Sequence, residues 1–385
     1  GVTPPTNLVP NPMLNTVDPN NSAHPSDWYP VTWGTNTTKF SYLTSGFNDT
    51  NSVEAQITSY TSGASEWLFD SQSVTADTQY KFSDYYKSNV SSEIEIAFNM
   101  SDGSTMYEQL ALPGASTSWK QVSTVFNAPV GAQSFQVYQF IQKVGYVITD
   151  DYSITPYTPV GFSRPLVTLT FDDGWKNTFT NGIPLLQKYG FTSTQFIITD
   201  AINQPGYDAV ANLSTMATEG NEIASHTVTH NDMTQETNSQ VKAELSNSKT
   251  QLQTWLPGVP ITDFAYPFGL YTAADQTATA NYYSAARGVE PGLNSKDEFN
   301  QYNLKAENVF DTTTTAQVAD WVKQAQATNT WLIIVYHSVS ATPTDSNNVT
   351  PTNLDSQLAA IKASGVTVEN MNTALAEVLP QVTGQ

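Results

Sequence analysis

Val167-Thr168-Leu169-Thr170-Phe171-Asp172-Asp173-Gly174 reads as a strand that carries two adjacent carboxylates into a glycine turn. From Leu166 onward such apolar strands alternate with helical segments. Strands are predicted over 166–171, 194–199, 222–226, 262–266, 284–288, 331–336 and 366–368, and helices over 177–189, 208–219, 236–256, 271–281, 314–328 and 352–364. Within 236–256, Val241, Leu245, Leu252 and Leu256 fall on roughly one helical face. This alternation predicts a parallel sheet covered by helices, open or closed into a barrel. Ligand sites in such folds lie at the carboxyl ends of the strands.

Chemistry-bearing residues cluster at those ends. Asp172 and Asp173 end the first strand, and His226-Thr227-Val228-Thr229-His230 follows a second. Tyr266-Pro267-Phe268-Gly269 follows another, and Leu332-Ile333-Ile334-Val335-Tyr336-His337 ends in a histidine. A hydrolytic metal site needs about three protein ligands and an open position for water. His226 and His230, four apart, reach one ion if the segment forms a helical turn. One of Asp172 and Asp173 is the third ligand, and the other stays free as general base. His337, placed opposite that base, would protonate a leaving group. The apolar residues before it, ending in Val335, are expected to wall a small pocket. Each feature alone has an ordinary reading: a capped turn, a surface histidine pair, a buried hydrogen-bonded histidine. Their coincidence on separate strands is what points to a site.

Upstream, residues 1–157 read as all-β. Glu93-Ile94-Glu95-Ile96-Ala97-Phe98, Val122-Ser123-Thr124-Val125-Phe126 and Phe135-Gln136-Val137-Tyr138 alternate at period two, with turn signals between them. This predicts a β-sandwich. Residues 158–165, rich in proline and glycine, read as a linker, and 166–385 as the second domain.

Composition narrows the partners. The chain has 385 residues, 13% charged, and a formal net charge of −20. That charge repels phosphate backbones and anionic lipid, so nucleic acid and membrane surfaces are not expected partners. The absence of cysteine excludes disulfides and thiolate ligands. No apolar run reaches membrane-spanning length. The polar, weakly charged surface and several Asn-x-Ser/Thr triplets suggest a secreted or cell-surface protein, expected to be a monomer. The opening Gly1-Val2-Thr3-Pro4-Pro5 lacks an n-region and an h-region, so a signal peptide is expected to be already absent.

Thr170–Gly174, His226–His230, Tyr266–Gly269 and the strand ending in His337 resemble, in order and spacing, the successive motifs of NodB-homology polysaccharide deacetylases, carbohydrate esterase family 4. The resemblance covers about residues 160–380. It implies a distorted (β/α) barrel with fewer than eight repeats. It also implies Asp172 as base, Asp173 with His226 and His230 as metal ligands, and His337 as general acid. The Phe268 backbone N–H would hold the oxyanion. The metal is expected to be Zn²⁺, with Co²⁺ or Ni²⁺ as alternatives. Tyr266, Pro267, Val335 and Arg287 are expected at the substrate. One departure stands out: the family often carries an Arg two residues before the proline, tethering the base, and here that position is Ala265. Arg287 is the candidate substitute. Asp311 and Asp320 are candidates for the usual acidic partner of that Arg.

The resemblance implies hydrolysis of N-acetyl groups from a polysaccharide containing N-acetylglucosamine. O-acetyl esterase action on acetylxylan and a decayed glycan-binding protein are the alternatives. The β-rich half resembles a jelly-roll carbohydrate-binding module. That likeness implies a structural Ca²⁺ involving Asp150 or Asp151. Trp28, Tyr29, Trp33, Trp67, Tyr85 and Tyr86 are the aromatics available for stacking on sugar.

Overall fold

The structure is a computed structural model that describes residues 6–343 and 345–382. The opening Gly1–Pro5 lies outside the described residues. The chain divides into two compact units, Gly1–Thr158 and Pro159–Gln385.

The first unit is a jelly-roll sandwich of two antiparallel sheets. One runs Thr105–Ala111, Glu93–Met100, Ala132–Ile141, Ala64–Phe69, Trp28–Trp33, with the short Gln72–Ser73 paired to Ala132–Ile141. The other runs Ser116–Ala128, Thr78–Ser88, Gly145–Pro156, Ser52–Tyr60, Asn36–Leu43. Period-two alternation does what it predicts: Ile94, Ile96 and Phe98 enter the core, while Glu93 and Glu95 between them face away. Of the aromatics available for sugar, Trp28, Trp67 and Tyr86 are buried, whereas Tyr29 and Trp33 are exposed. The buried indoles donate to backbone oxygens, Trp28 to Pro10 and Trp67 to Glu54, as buried indole N–H groups must.

The second unit is a distorted (β/α) barrel. Its eight-stranded parallel sheet runs Ala285–Arg287, Asp263–Ala265, Glu222–Ser225, Thr194–Ile197, Leu166–Asp173, Trp331–Tyr336, Glu307–Asn308, with Thr367–Val368 also on Leu166–Asp173. Leu304 bridges Arg287 on one edge strand, and Glu307–Asn308 pairs with Trp331–Tyr336 on the other side, so the 304–308 stretch closes the barrel. The alternation of each strand sorts two cores. Val167, Leu169, Phe171, Leu332, Ile334 and Tyr336 face the helices. Leu166, Phe196, Ala224, Ala265, Ala285, Trp331, Ile333 and Val335 fill the interior. Several interior positions are alanine. Phe162, from the proline-rich stretch, is buried in this inner core.

The seven sequence-read strands are present. In the second unit one strand and one α-helix were not read: the two-residue strand Glu307–Asn308 and the helix Met371–Val382. The helix contains Pro380, a residue that normally argues against a helix. The helix read over 177–189 begins instead as a π-turn, Thr178–Gly182, before Ile183–Tyr189.

Candidate metal and acid-base site

Strand parity decides which side chains meet at the barrel mouth. On Leu166–Asp173 the inward positions are Leu166, Thr168, Thr170 and Asp172; on Trp331–Tyr336 the same parity continues to His337. Ala224 and Ala285 are inward, so His226 and Arg287, two residues on, face the same interior. Asp172, His226, Arg287 and His337 therefore converge from four strands. Asp173 has the opposite parity. Its backbone is left-handed, with φ of 78°, and Gly174 follows at 80°. A non-glycine residue in that region costs about 1–3 kcal/mol and persists where surrounding structure holds it. Here the turn swings the Asp173 carboxylate back to the mouth.

Both histidines meet it there. His226 Nε2 and His230 Nε2 each lie 3.6 Å from Asp173 Oδ1. Two ligands on arms of about 2.1 Å at a tetrahedral angle sit about 3.4 Å apart. Asp173 Oδ1 is buried and has no hydrogen-bond partner, an orphan that a cation would satisfy. His226 Nδ1 is 2.8 Å from the Ala265 carbonyl, a contact it can make only as donor. That places its lone pair on Nε2, toward the shared point. Burial, with His230 adding to it, pulls the His226 pKa down to about 4, so the imidazole is neutral at pH 7 and available as a ligand. The donor set thus fits a divalent cation.

The expected helical turn between the histidines is absent. Residues 226–230 form an irregular loop in which Thr227 and His230 have φ of 68° and 59°. Side-chain bonds hold these left-handed residues in place of helical ones. The Thr227 hydroxyl accepts from His230 N–H, and Glu244 accepts from Val228 N–H and Thr229 N–H.

Beside this group stands a second one. Arg287 Nη2 donates to Asp172 Oδ2 at 2.5 Å, and Arg287 Nη1 donates to the Gly288 carbonyl. Both partners of the ion pair are buried. Burial alone would raise the Asp172 pKa, but Arg287, then His226 and His337, outweigh it and hold the carboxyl below its ordinary value. His337 Nε2 lies 3.9 Å from the same Asp172 oxygen. The strand end carrying His337 is clamped by the segment after Gly174: Thr178 Oγ1 donates to His337 O, and Asn177 Nδ2 donates to Ser338 Oγ.

The other expected residues take varied places. Phe268 is left-handed, with φ of 57°, and its ring packs edge-on to His230 at 4.5 Å. Its side chain is exposed, whereas Pro267 is buried. Tyr266, Val335 and Arg287 are fully buried, and the Tyr266 hydroxyl donates to Tyr302 O. In this conformation those three offer no surface to a polymer. Arg287 meets Asp172 instead. Asp311 is exposed on a loop, and Asp320 accepts from Gln324 on its own helix.

Sequence reading missed two supports. Trp175 Nε1 donates to Asp173 Oδ2 at 2.9 Å, and its ring stacks on Tyr207 at 4.4 Å. An indole directly after Asp-Asp-Gly was the available signal. Glu244, on the helix Asn238–Trp255, left no local signal, because its role arises only when that helix packs beneath the histidine loop.

The geometry defines a distorted (β/α) barrel with an Asp-His-His group able to hold a metal ion. Residues 160–284 match the family model for polysaccharide deacetylase, so a polysaccharide deacetylase domain of the NodB, carbohydrate esterase family 4, type is found within the second unit. The chain is 36% identical over 143 residues to a gellan lyase of Bacillus sp., covering 37% of this chain and 5% of that protein. It is 30% identical over 141 residues to the putative polysaccharide deacetylase YxkH of Bacillus subtilis strain 168, covering 35% of this chain and 49% of that protein. The match therefore spans at most about half the length of these relatives. Among solved structures, the Xyl-CE4 domain of a multidomain xylanase from the hindgut metagenome of Trinervitermes trinervoides is similar at 20% identity and TM-score 0.42, over 56% of this chain and 91% of that one. No helix among the described residues is long and apolar enough to cross a membrane.

Proposed function

We propose that the chain removes N-acetyl groups from an extracellular polysaccharide containing N-acetylglucosamine, releasing acetate. The observation that carries this is the convergence of two imidazole Nε2 atoms on the orphaned Asp173 Oδ1, each at 3.6 Å, with an arginine-held carboxylate alongside. Asp173, His226 and His230 would hold one divalent cation, Zn²⁺ before Co²⁺ or Ni²⁺, which when bound supplies Lewis-acid polarisation of the acetyl carbonyl and acidifies water.

The chain's own residues do the rest. Asp172, kept ionised by Arg287, takes the proton from the attacking water. The Phe268 N–H, in its left-handed turn, faces the charge that develops on the carbonyl oxygen. His337 gives a proton to the departing nitrogen as the C–N bond breaks. Amide plus water becomes acetate plus amine, and the amine is protonated at neutral pH. An amide nitrogen leaves only when protonated, a proton His337 would supply; cleavage of an O-acetyl ester would use the same residues.

In the first unit, Asp49, Asp150 and Asp151 bring carboxylate oxygens within 4.8 Å of one another. We assign a structural Ca²⁺ there. Calcium should raise the melting temperature of chelator-treated protein; no rise removes the assignment.

The test of the main reading is acetate release by the metal-loaded protein from N-acetylglucosamine oligomers and from acetylxylan. Release from the first supports the proposal. Release from acetylxylan alone makes the chain an O-acetyl esterase, and release from neither makes it a glycan binder.

A further inference from the structure

The outer face of the six-stranded sheet carries a group the proposed deacetylase site does not use. Trp67 and Phe69 enter the sandwich core, so Glu66 and Leu68 face out; Phe135, Val137 and Ile141 enter it, so Gln136, Tyr138 and Phe140 face out. By the same parity Tyr29, Val31 and Trp33 lie on one flank, and Glu93 and Glu95 on the other. Register aligns them in rows. Val31 pairs with Glu66, Glu66 with Phe140, and Phe140 with Glu93, while Tyr138 pairs with Glu95.

Glu66 is the unexpected member. It is 4% exposed, and its Oε2 has no hydrogen-bond partner. A buried carboxylate without a partner is costly, and a native structure that keeps one calls for an explanation. Its neighbours deepen the cost. Burial first, then the charge of Glu95, pushes the Glu66 pKa up to about 8, and the same two causes raise that of Glu93. Tyr138 Oη donates to Glu95 Oε1 at 2.5 Å, so this tyrosine is anchored to a carboxylate of the row. The Gln136 amide reaches Tyr29 Oη at 3.2 Å. These outward strand positions hold Glu66, Glu93 and Glu95 and, among the described residues, no Lys or Arg. At the edges Trp33 and Tyr107 are 56% and 63% exposed, flat apolar surfaces open to a ligand.

We infer that this face binds a glycan bearing free ammonium groups, a polymer of de-N-acetylated amino sugar. Ammonium groups pair with the half-buried carboxylates of Glu93 and Glu95, their charge favours the ionised form of the buried Glu66, and sugar C–H faces stack on Trp33, Tyr29 and Tyr107. A neutral glycan would donate hydroxyls but bring no positive charge to these acidic groups. An acetylated amine carries no charge, so the face discriminates between the substrate and the product of the reaction proposed above. The inference rests on that reading only for the origin of the ligand. The first unit would hold the chain on polymer already deacetylated, next to acetylated sugars still to be processed.

The experiment is calorimetric titration of the full chain with hexamers of glucosamine, N-acetylglucosamine and cellulose type, at 50 mM and 300 mM salt. The glucosamine hexamer should bind at least about tenfold more tightly than the other two, and more weakly at the higher salt. Glu66→Gln, nearly isosteric, and Glu95→Gln should each remove most of that preference. Equal affinities for the three hexamers, no binding of any, or an unchanged preference in Glu66→Gln would overturn the inference. The wild-type comparison stands without a variant. Binding is read without turnover, so a chain that releases no acetate still gives an answer.

Discussion

Arg287→Met removes the guanidinium that faces Asp172 and leaves a buried carboxylate without its cation. Breaking a buried pair by deleting one partner costs about 3–5 kcal/mol. At about 1.36 kcal/mol per pKa unit, that corresponds to at least about two units. The direction follows from the causes already in place: burial raises the Asp172 pKa, and Arg287 is the largest influence opposing it. Without Arg287, burial prevails and the Asp172 pKa moves up toward neutrality. The assay is the pH dependence of kcat/KM on an N-acetylated oligosaccharide, with bound metal measured on the same samples. The acidic limb should move up by about two units or more, so that kcat/KM compared at one pH on that limb falls at least about a hundredfold, and metal content should stay at one per chain. Arg287→Lys, which keeps the charge and loses the planar fork, should fall between. An acidic limb that stays put in a folded, metal-loaded Arg287→Met protein would refute the argument that this residue tethers the base.

Asp172→Asn should lower kcat by about two to four orders of magnitude, since a positioned base is worth that much, while metal is retained; loss of metal would reverse the roles of the two aspartates. Trp175→Phe keeps the stack on Tyr207 but deletes the bond to Asp173 Oδ2, and metal affinity should drop about 10- to 100-fold in a competition titration, whereas unchanged affinity would make the tryptophan a packing residue only. Stability should fall as pH rises. Glu66 and Asp208 have folded pKa values raised to about 8 and about 7 by burial, so the folded state keeps protons that the unfolded chain has already released. Their contribution is therefore lost between about pH 4 and pH 8, and melting temperatures from pH 5 to 9 should decline less steeply in Glu66→Gln than in wild type. Parallel slopes would contradict this.

The barrel strands were legible because each is a short apolar run bounded by turns, and Asp172, His226 and His337 fell at their ends. What alternation along one strand could not give was the reversal of Asp173, which depends on two left-handed residues in succession. Nor could it give the loop between His226 and His230, where spacing alone suggested a helical turn. That loop is held by Glu244 from a helix packed below it, a contact made only by the folded chain. Arg287 was visible as a strand-end residue, but its distance from Asp172 depends on barrel closure through residues 304–308, a stretch with almost no strand signal of its own. The alternation over Glu93–Phe98 marked a strand of the first unit, without singling out its outward carboxylates. The burial of Glu66 required the register of three further strands.

The central claim is one cation shared by Asp173, His226 and His230. X-ray absorption on protein carrying one equivalent of Zn²⁺ tests it most directly, repeated on Asp173→Asn and on Asp172→Asn. The expected coordination is two imidazole nitrogens and carboxylate oxygen, altered by the first substitution and untouched by the second. A shell with fewer than two imidazoles, or one that changes with Asp172 and not with Asp173, would contradict it.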